Sequence, residues 1–166
     1  LSMYGYPRKT SPHLDAFSRQ ALSYSLFYAN SPWTKPSVAS ILTGQFPSRH
    51  GVEEERTRLS DKFIALPEAL SANGYQTAGI VGNGNASGAF KLNQGFHHYI
   101  DTRSHWDGLP TARQVFDLGL AWLKPRRNQK RLFLFLFVVD PHDPYHTPNP
   151  RDERRWLRKG HPPIIR

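Results

Sequence analysis

Leu132-Phe133-Leu134-Phe135-Leu136-Phe137-Val138-Val139, closed by Asp140-Pro141, is the stretch whose reading decides the fold. Eight apolar residues follow Lys130 and Arg131 and stop at an acid and a proline. A membrane span needs about 20 such residues, so this run is far too short for one. With no polar face of its own, it reads as a strand covered on both sides, as in a parallel sheet.

The flanks agree with that reading. Residues 111–124 carry Val115, Phe116, Leu120, Trp122 and Leu123 at helical spacing and predict a helix. Residues 67–73 read as a helix closed by Gly74, residues 75–81 as a short buried strand, and residues 82–95 as a Gly/Asn loop. Upstream, residues 36–43 predict a short helix that ends where Gly44 would take a left-handed conformation. Residues 23–29 alternate Leu26 and tyrosines with serines and predict a strand. Ser11-Pro12 reads as an N-cap with proline in the first turn, opening a helix that carries Leu14, Phe17, Ala21 and Leu22. Helix and strand alternate along the chain, which predicts an α/β fold: a mainly parallel sheet sandwiched by helices. Ligands of such sheets gather outside the carboxyl ends of the strands, where Thr34, Asn83 and His142 fall.

At 166 residues, with 38% hydrophobic and 13% aromatic side chains, the chain is long enough for one globular core. Its net charge of +9 is local. Five basic residues and no acid occupy positions 124–131, six against two acids occupy 151–166, and the remainder is balanced. Solvated turns explain such runs, and so does a docking surface for anions. No aromatic residue interleaves with the first run, so a nucleic-acid partner is not expected. The absence of cysteine excludes disulfides and thiolate metal sites.

The chemistry concentrates in Ser31-Pro32-Trp33-Thr34-Lys35-Pro36-Ser37-Val38-Ala39-Ser40-Ile41-Leu42-Thr43-Gly44, followed by Gln45-Phe46-Pro47-Ser48-Arg49-His50-Gly51-Val52. A hydroxyl at a helix N-terminus sits among unpaired amides and the positive end of the helix dipole, which favour an anionic ester. Those residues alone leave Thr34 as either a nucleophile or the cap of the helix beginning at Pro36. His97-His98 and His13 lack the spacing of a metal site.

This stretch resembles the nucleophile motif of the sulfatase-like family of the alkaline phosphatase superfamily, Cys/Ser-x-Pro-Ser-Arg-Ala-Ser-x-x-Thr-Gly followed by Tyr-Pro-x-x-His-Gly. Asp15-Ala16-Phe17-Ser18 after Tyr4-Gly5-Tyr6-Pro7, Asn73-Gly74-Tyr75-Gln76-Thr77-Ala78, and Asp140-Pro141-His142-Asp143-Pro144-Tyr145 resemble three further segments of that family, in the same order. The resemblance implies an alkaline-phosphatase-like α/β fold that is incomplete here. It makes residues 1–150 part of a catalytic domain and 151–166 a basic tail or the start of its next segment. It puts Thr34 on the nucleophile and His142 on a substrate contact or proton donor, the two candidate catalytic residues. Lys35, Asn83 and Asp140 are the candidate substrate-binding residues. Asn83 in Gly82-Asn83-Gly84-Asn85 reads either as a donor to ester oxygens or as part of a turn whose glycines need positive φ.

The resemblance further implies a divalent metal ion (Ca, Zn, Mg or Mn) with Thr34 among its ligands. The other ligands are expected before Leu1 and beyond Arg166, so the isolated 166 residues are expected to be inactive where the whole protein is active. Classical members convert Cys or Ser at the nucleophile position to formylglycine. Thr34 is neither, so formylglycine is not expected, and a covalent phospho- or sulfo-threonine fits better. The family's arginine is Val38 here. The implied activity is hydrolysis of a small anionic sulfate ester. Phosphodiesterase or phosphoethanolamine-type transfer, and an inactive module that binds a polyanion, are the alternatives. The resemblance leans towards an extracytoplasmic or membrane-associated location, and the oligomeric state is open.

Overall fold

The structure is a computed structural model that describes residues 1–101, 105, 109–140 and 142. The expected segment 151–166 and the end of the 140–145 motif lie outside the described residues.

Three parallel strands form the sheet: β1 (Gln76–Val81) in the centre, with β2 (His98–Asp101) and β3 (Leu132–Phe137) on either side. In register, Ile80 lies opposite Ile100 and Leu136, and Val81 opposite Asp101 and Phe137. The side-chain alternation of β3 explains its unbroken apolar run. Phe135 and Phe137 pack on the core that holds Val38, Leu42, Val52, Val81 and Leu92. Leu134 and Leu136 face the opposite way, against Gly119 of α5 (Ala112–Leu123). Both faces are thus covered, as the sequence predicted.

Helix α1 (Pro12–Ser18) stops earlier than its apolar spacing predicted, leaving Ala21 and Leu22 outside. Ser11 is its N-cap residue, but its hydroxyl donates to the Asp15 carboxylate and accepts from the Ser2 amide, and it caps no amide of α1. Helix α2 (Thr34–Thr43) begins at Thr34, two residues before the predicted start, and ends at Gly44 with φ 66°. A short α3 (Pro47–His50) and α4 (Leu66–Ala72) complete the helices before β1. The predicted helix 111–124 is α5, opened by Thr111, whose hydroxyl accepts from the Gln114 amide.

Residues 23–29 do not form the predicted strand. Leu26, Phe27 and Tyr28 are all strongly exposed there. An alternating pattern makes a strand only when another backbone pairs with it, and this segment pairs with none among the described residues. In compensation, the sequence reading passed over β2. That strand is only four residues long, and its His98-Tyr99 start lacks an apolar run.

One glycine in the sheet is set by a neighbour. A Cβ on Gly79 would lie 2.6 Å from the Tyr99 ring of β2. That ring cannot swing aside, because its hydroxyl donates to the Ala86 carbonyl. Burial, and then the negative charge of Asp101, push the Tyr99 phenol well above its ordinary range, so it stays a donor.

Candidate active site

Along α2, Thr34, Ser37, Val38 and Ile41 recur at the spacing of one helix face. All four line a cleft of about 740 Å³. The segment after β1 contributes Asn83, Gly84 and Asn85, and the end of β3 contributes Phe137 and, beyond it, His142. Ser31, Pro32, Trp33 and Leu109 complete the lining. The cleft therefore lies outside the carboxyl ends of β1 and β3, the expected place in a parallel sheet.

Thr34 is the first residue of α2, and Trp33 is the N-cap. The capping explanation for Thr34 therefore fails: it lies within the helix, and Ser37 N–H donates to the Trp33 carbonyl. Thr34 is half-buried, and among the described residues no hydrogen bond engages its hydroxyl. First-turn amides of a helix have no intrahelical partner, and Pro36 has none to offer. Of the first turn, it is Thr34 that lines the cleft where an anion would meet the helix N-terminus.

The loop after β1 is shaped by packing rather than by left-handed glycines. Neither Gly82 nor Gly84 has a positive φ, against the turn explanation of the Gly-Asn-Gly-Asn sequence. Gly82 is small because a Cβ there would sit 3.1 Å from Pro110 and 3.3 Å from the Phe137 carbonyl. The Asn83 side-chain oxygen accepts from the Asn85 amide at 2.8 Å, closing a tight turn. That bond uses the acceptor end of Asn83 and leaves its NH₂ for a ligand. Behind the loop, Asp101 at the end of β2 accepts from the Ser87 hydroxyl and the Gly88 amide, at 2.6 and 2.9 Å.

Two of the expected substrate-binding residues are elsewhere. Lys35 is completely buried, and its ammonium donates to the carbonyls of Glu54 and Glu55. It also lies 3.6 Å from the Phe90 ring centroid and 5.5 Å from that of Trp33. It ties the first turn of α2 to residues 54–55 instead of lining the cleft. Asp140 turns to α5, where its carboxylate accepts from the Ala112 amide at 2.7 Å. A carboxylate at a helix N-terminus is favoured by the dipole, which gives Asp140 a capping role. Thr34, Asn83 and His142 come together, and Lys35 and Asp140 support the elements around them.

His50 escaped the sequence reading although it sits in the quoted motif. It is buried beneath α2, where its Nδ1 accepts from the Val52 amide at 3.0 Å. In the neutral ring that fixes the proton on Nε2, which donates to the Ser40 hydroxyl at 3.1 Å. Burial is the main cause holding its pKa below the ordinary value. The signal available in sequence was position: His50 ends a short helix between Arg49 and Gly51, close behind α2.

Among the described residues no three of His, Cys, Asp or Glu come together to hold an ion. The cleft around Thr34 offers one imidazole, hydroxyls and two amides, and no carboxylate. Divalent cations of this class take carboxylate or several imidazole ligands, so these residues do not fit such an ion by themselves.

Known proteins share this sequence pattern and fold. The chain is 34% identical over 111 residues to arylsulfatase A of Homo sapiens, covering 60% of this chain and 22% of that protein. A structure solved in complex with its substrate, D-glucosamine-2-N, 6-O-disulfate, superposes with TM-score 0.75 and 25% identity, covering 91% of this chain and 33% of the other. The phosphonate monoester hydrolase of Agrobacterium radiobacter shares the fold at TM-score 0.71 and 16% identity, covering 92% of this chain and 40% of that one. The chain thus spans less than a quarter of the length of arylsulfatase A and a third of the first structure. The Sulfatase family model matches residues 1–156, nearly the whole chain, and the chain belongs to the sulfatase family.

Proposed function

We propose that the whole protein hydrolyses a sulfate ester and that Thr34 is its nucleophile. The observation that carries this reading is the unengaged Thr34 hydroxyl, in the first turn of α2, on the lining of a cleft it shares with Asn83 and His142. The Thr34 end of α2, with its dipole, receives the sulfate oxygens, and the Asn83 NH₂ adds a side-chain donor.

In the first step the Thr34 Oγ1–S bond forms as the ester S–O bond breaks. The Thr34 hydroxyl proton passes to water, and the leaving alkoxide takes a proton from the His142 imidazolium. In the second step water attacks the sulfur and gives a proton to neutral His142. Sulfate leaves, and Thr34 regains a proton from solvent. The family's divalent metal, when bound, would supply charge to acidify the hydroxyl. The described residues do not by themselves hold such an ion, and each step above uses only this chain's groups.

Val38 faces the cleft where the family motif has arginine. That favours a second reading, transfer of a phosphodiester, which presents the same single negative charge. Turnover by the whole protein on a sulfate monoester and a phosphate diester, beside Thr34→Ala, decides between them. A sulfate preference abolished by Thr34→Ala is expected. A phosphodiester preference abolished by Thr34→Ala would replace the first reading with the second.

A further inference from the structure

The first turn of α2 has no side-chain cap. Its N-cap residue, Trp33, makes no cap hydrogen bond, and Pro36, third in the helix, has no N–H to give. A helix end of that kind frays unless something outside the helix holds it. The hold comes from the face turned away from the cleft. Thr34, Ser37, Val38 and Ile41 line the cleft, whereas Lys35, Pro36 and Ser40 fall on the opposite side of the helix and are buried there.

Two ties run from that side to one stretch of chain. The Lys35 ammonium donates to the carbonyls of Glu54 and Glu55. A turn closed by Thr57 presents them: its hydroxyl donates to the Glu54 carbonyl at 2.8 Å, and its amide to the same oxygen at 3.2 Å. His50, at the end of α3, receives the Val52 amide on Nδ1 at 3.0 Å, which leaves its Nε2–H for α2. That ring nitrogen lies 3.1 Å from the Ser40 hydroxyl, and the Pro36 carbonyl is a second acceptor for the imidazole.

We infer that His50 and Lys35 are positioning residues: from behind, they fix the first turn of α2 on residues 50–55 and so hold the Thr34 hydroxyl in line with the ester. The inference rests on the proposed reading of Thr34 as nucleophile. Its physical basis is the steepness of attack geometry, since a misplacement of about 1 Å can cost about 100-fold in rate. Seating of the anion, shared between the α2 end and Asn83, depends less steeply on the same displacement. Loss of either tie therefore appears in kcat and hardly in KM.

The test uses the whole protein on a sulfate monoester and separates the two ends of the imidazole. His50→Asn offers an acceptor near the Nδ1 position and no donor to α2, whereas His50→Gln offers a donor near the Nε2 position. His50→Asn should lower kcat about 100-fold with KM within about twofold, and His50→Gln should restore most of that loss. Lys35→Met keeps the buried stem without the ammonium, and should lower kcat about tenfold at the same KM. Thermal melts give a temperature at which the variants are folded, and the kinetics are measured there. Where His50→Asn does not fold, Ser40→Ala takes its place: it removes a single hydroxyl, and kcat should fall about threefold at constant KM. Unchanged kcat in the folded variants would overturn the inference. So would a kcat that follows melting temperature whichever end of the ring is retained. Failure of the nucleophile reading is separate, and would show as Thr34→Ala retaining wild-type turnover.

Discussion

His50 is the side chain whose surroundings leave the least freedom. Val52 N–H needs an acceptor at Nδ1, so protonating the ring breaks that bond and places a charge in the core. Its folded pKa lies below the ordinary value of 6.5, chiefly through burial, so the unfolded chain takes up the proton first. The contribution to stability is therefore undiminished above about pH 6.5 and falls as pH drops towards the lowered folded value. Urea midpoints at pH 7.5 and 5.5 should show this fall, and His50→Gln should flatten it while costing about 1–3 kcal/mol at the higher pH. Equal pH slopes in the two proteins would contradict it. Lys35 makes a parallel case. Lys35→Ala removes a wholly buried stem and the donors to Glu54 and Glu55, with an expected cost of about 2–4 kcal/mol in denaturant unfolding. A loss near zero would mean that residues 54–55 do not depend on it. From sequence, Thr34, Asn83 and His142 were brought to the strand ends, where they line one cleft, because each follows or opens an element whose end is marked by Gly, Pro or Asp. Lys35 and Asp140 were not, because adjacency in the chain says nothing about which way a side chain turns.

At the level of elements, the sheet shows why some segments were legible and others were not. The run at 76–81 is buried beyond its first residue and that at 132–137 is packed on both faces while half-buried, so their apolar composition identified them. The α2 boundary was missed by two residues. A hydroxyl followed by Lys-Pro reads as a cap, whereas Trp33, with no side-chain cap bond, takes that position. Residues 23–29 had the period of a strand and no partner to pair with, and β2 had a partner and no pattern. Pairing is a non-local property, and a short window of sequence does not contain it. The β1–β2 pairing carries its own test. Gly79→Ala should cost about 1–3 kcal/mol in thermal or urea unfolding, because its Cβ meets the Tyr99 ring. Tyr99→Leu in the same background should recover part of that loss as a coupling energy. Strict additivity of the two substitutions would show that the ring is not the obstacle.

Over the whole molecule, charge and apolar surface are distributed in a way that composition only hinted at. The basic residues of 124–131 lie in the connection from α5 to β3, at the N-terminal end of β3, while Thr34 and His142 sit at the other end of the sheet. Two of them are fixed by neutral acceptors: Arg126 donates to the Trp122 carbonyl and lies over its ring, and Arg131 donates to the Asn73 carbonyl. Their charge is thus remote from the proposed reaction. Replacing Lys124, Arg127 and Lys130 by Gln should leave kcat/KM on a small sulfate ester within about twofold, as expected of exposed charges distant from a site. A larger fall would place the basic turn in substrate recognition. Among the described residues no helix is long and apolar enough to cross a membrane.

The central claim is a covalent step at Thr34. The most direct measurement is mass spectrometry of the whole protein, quenched during turnover of a sulfate monoester, beside Thr34→Ala. The account predicts one sulfuryl group on the peptide that contains Thr34, absent from the variant, whose turnover falls on the order of 10⁴-fold or more. A variant that turns over the ester at the wild-type rate, or a sulfuryl group found on another residue, would contradict it.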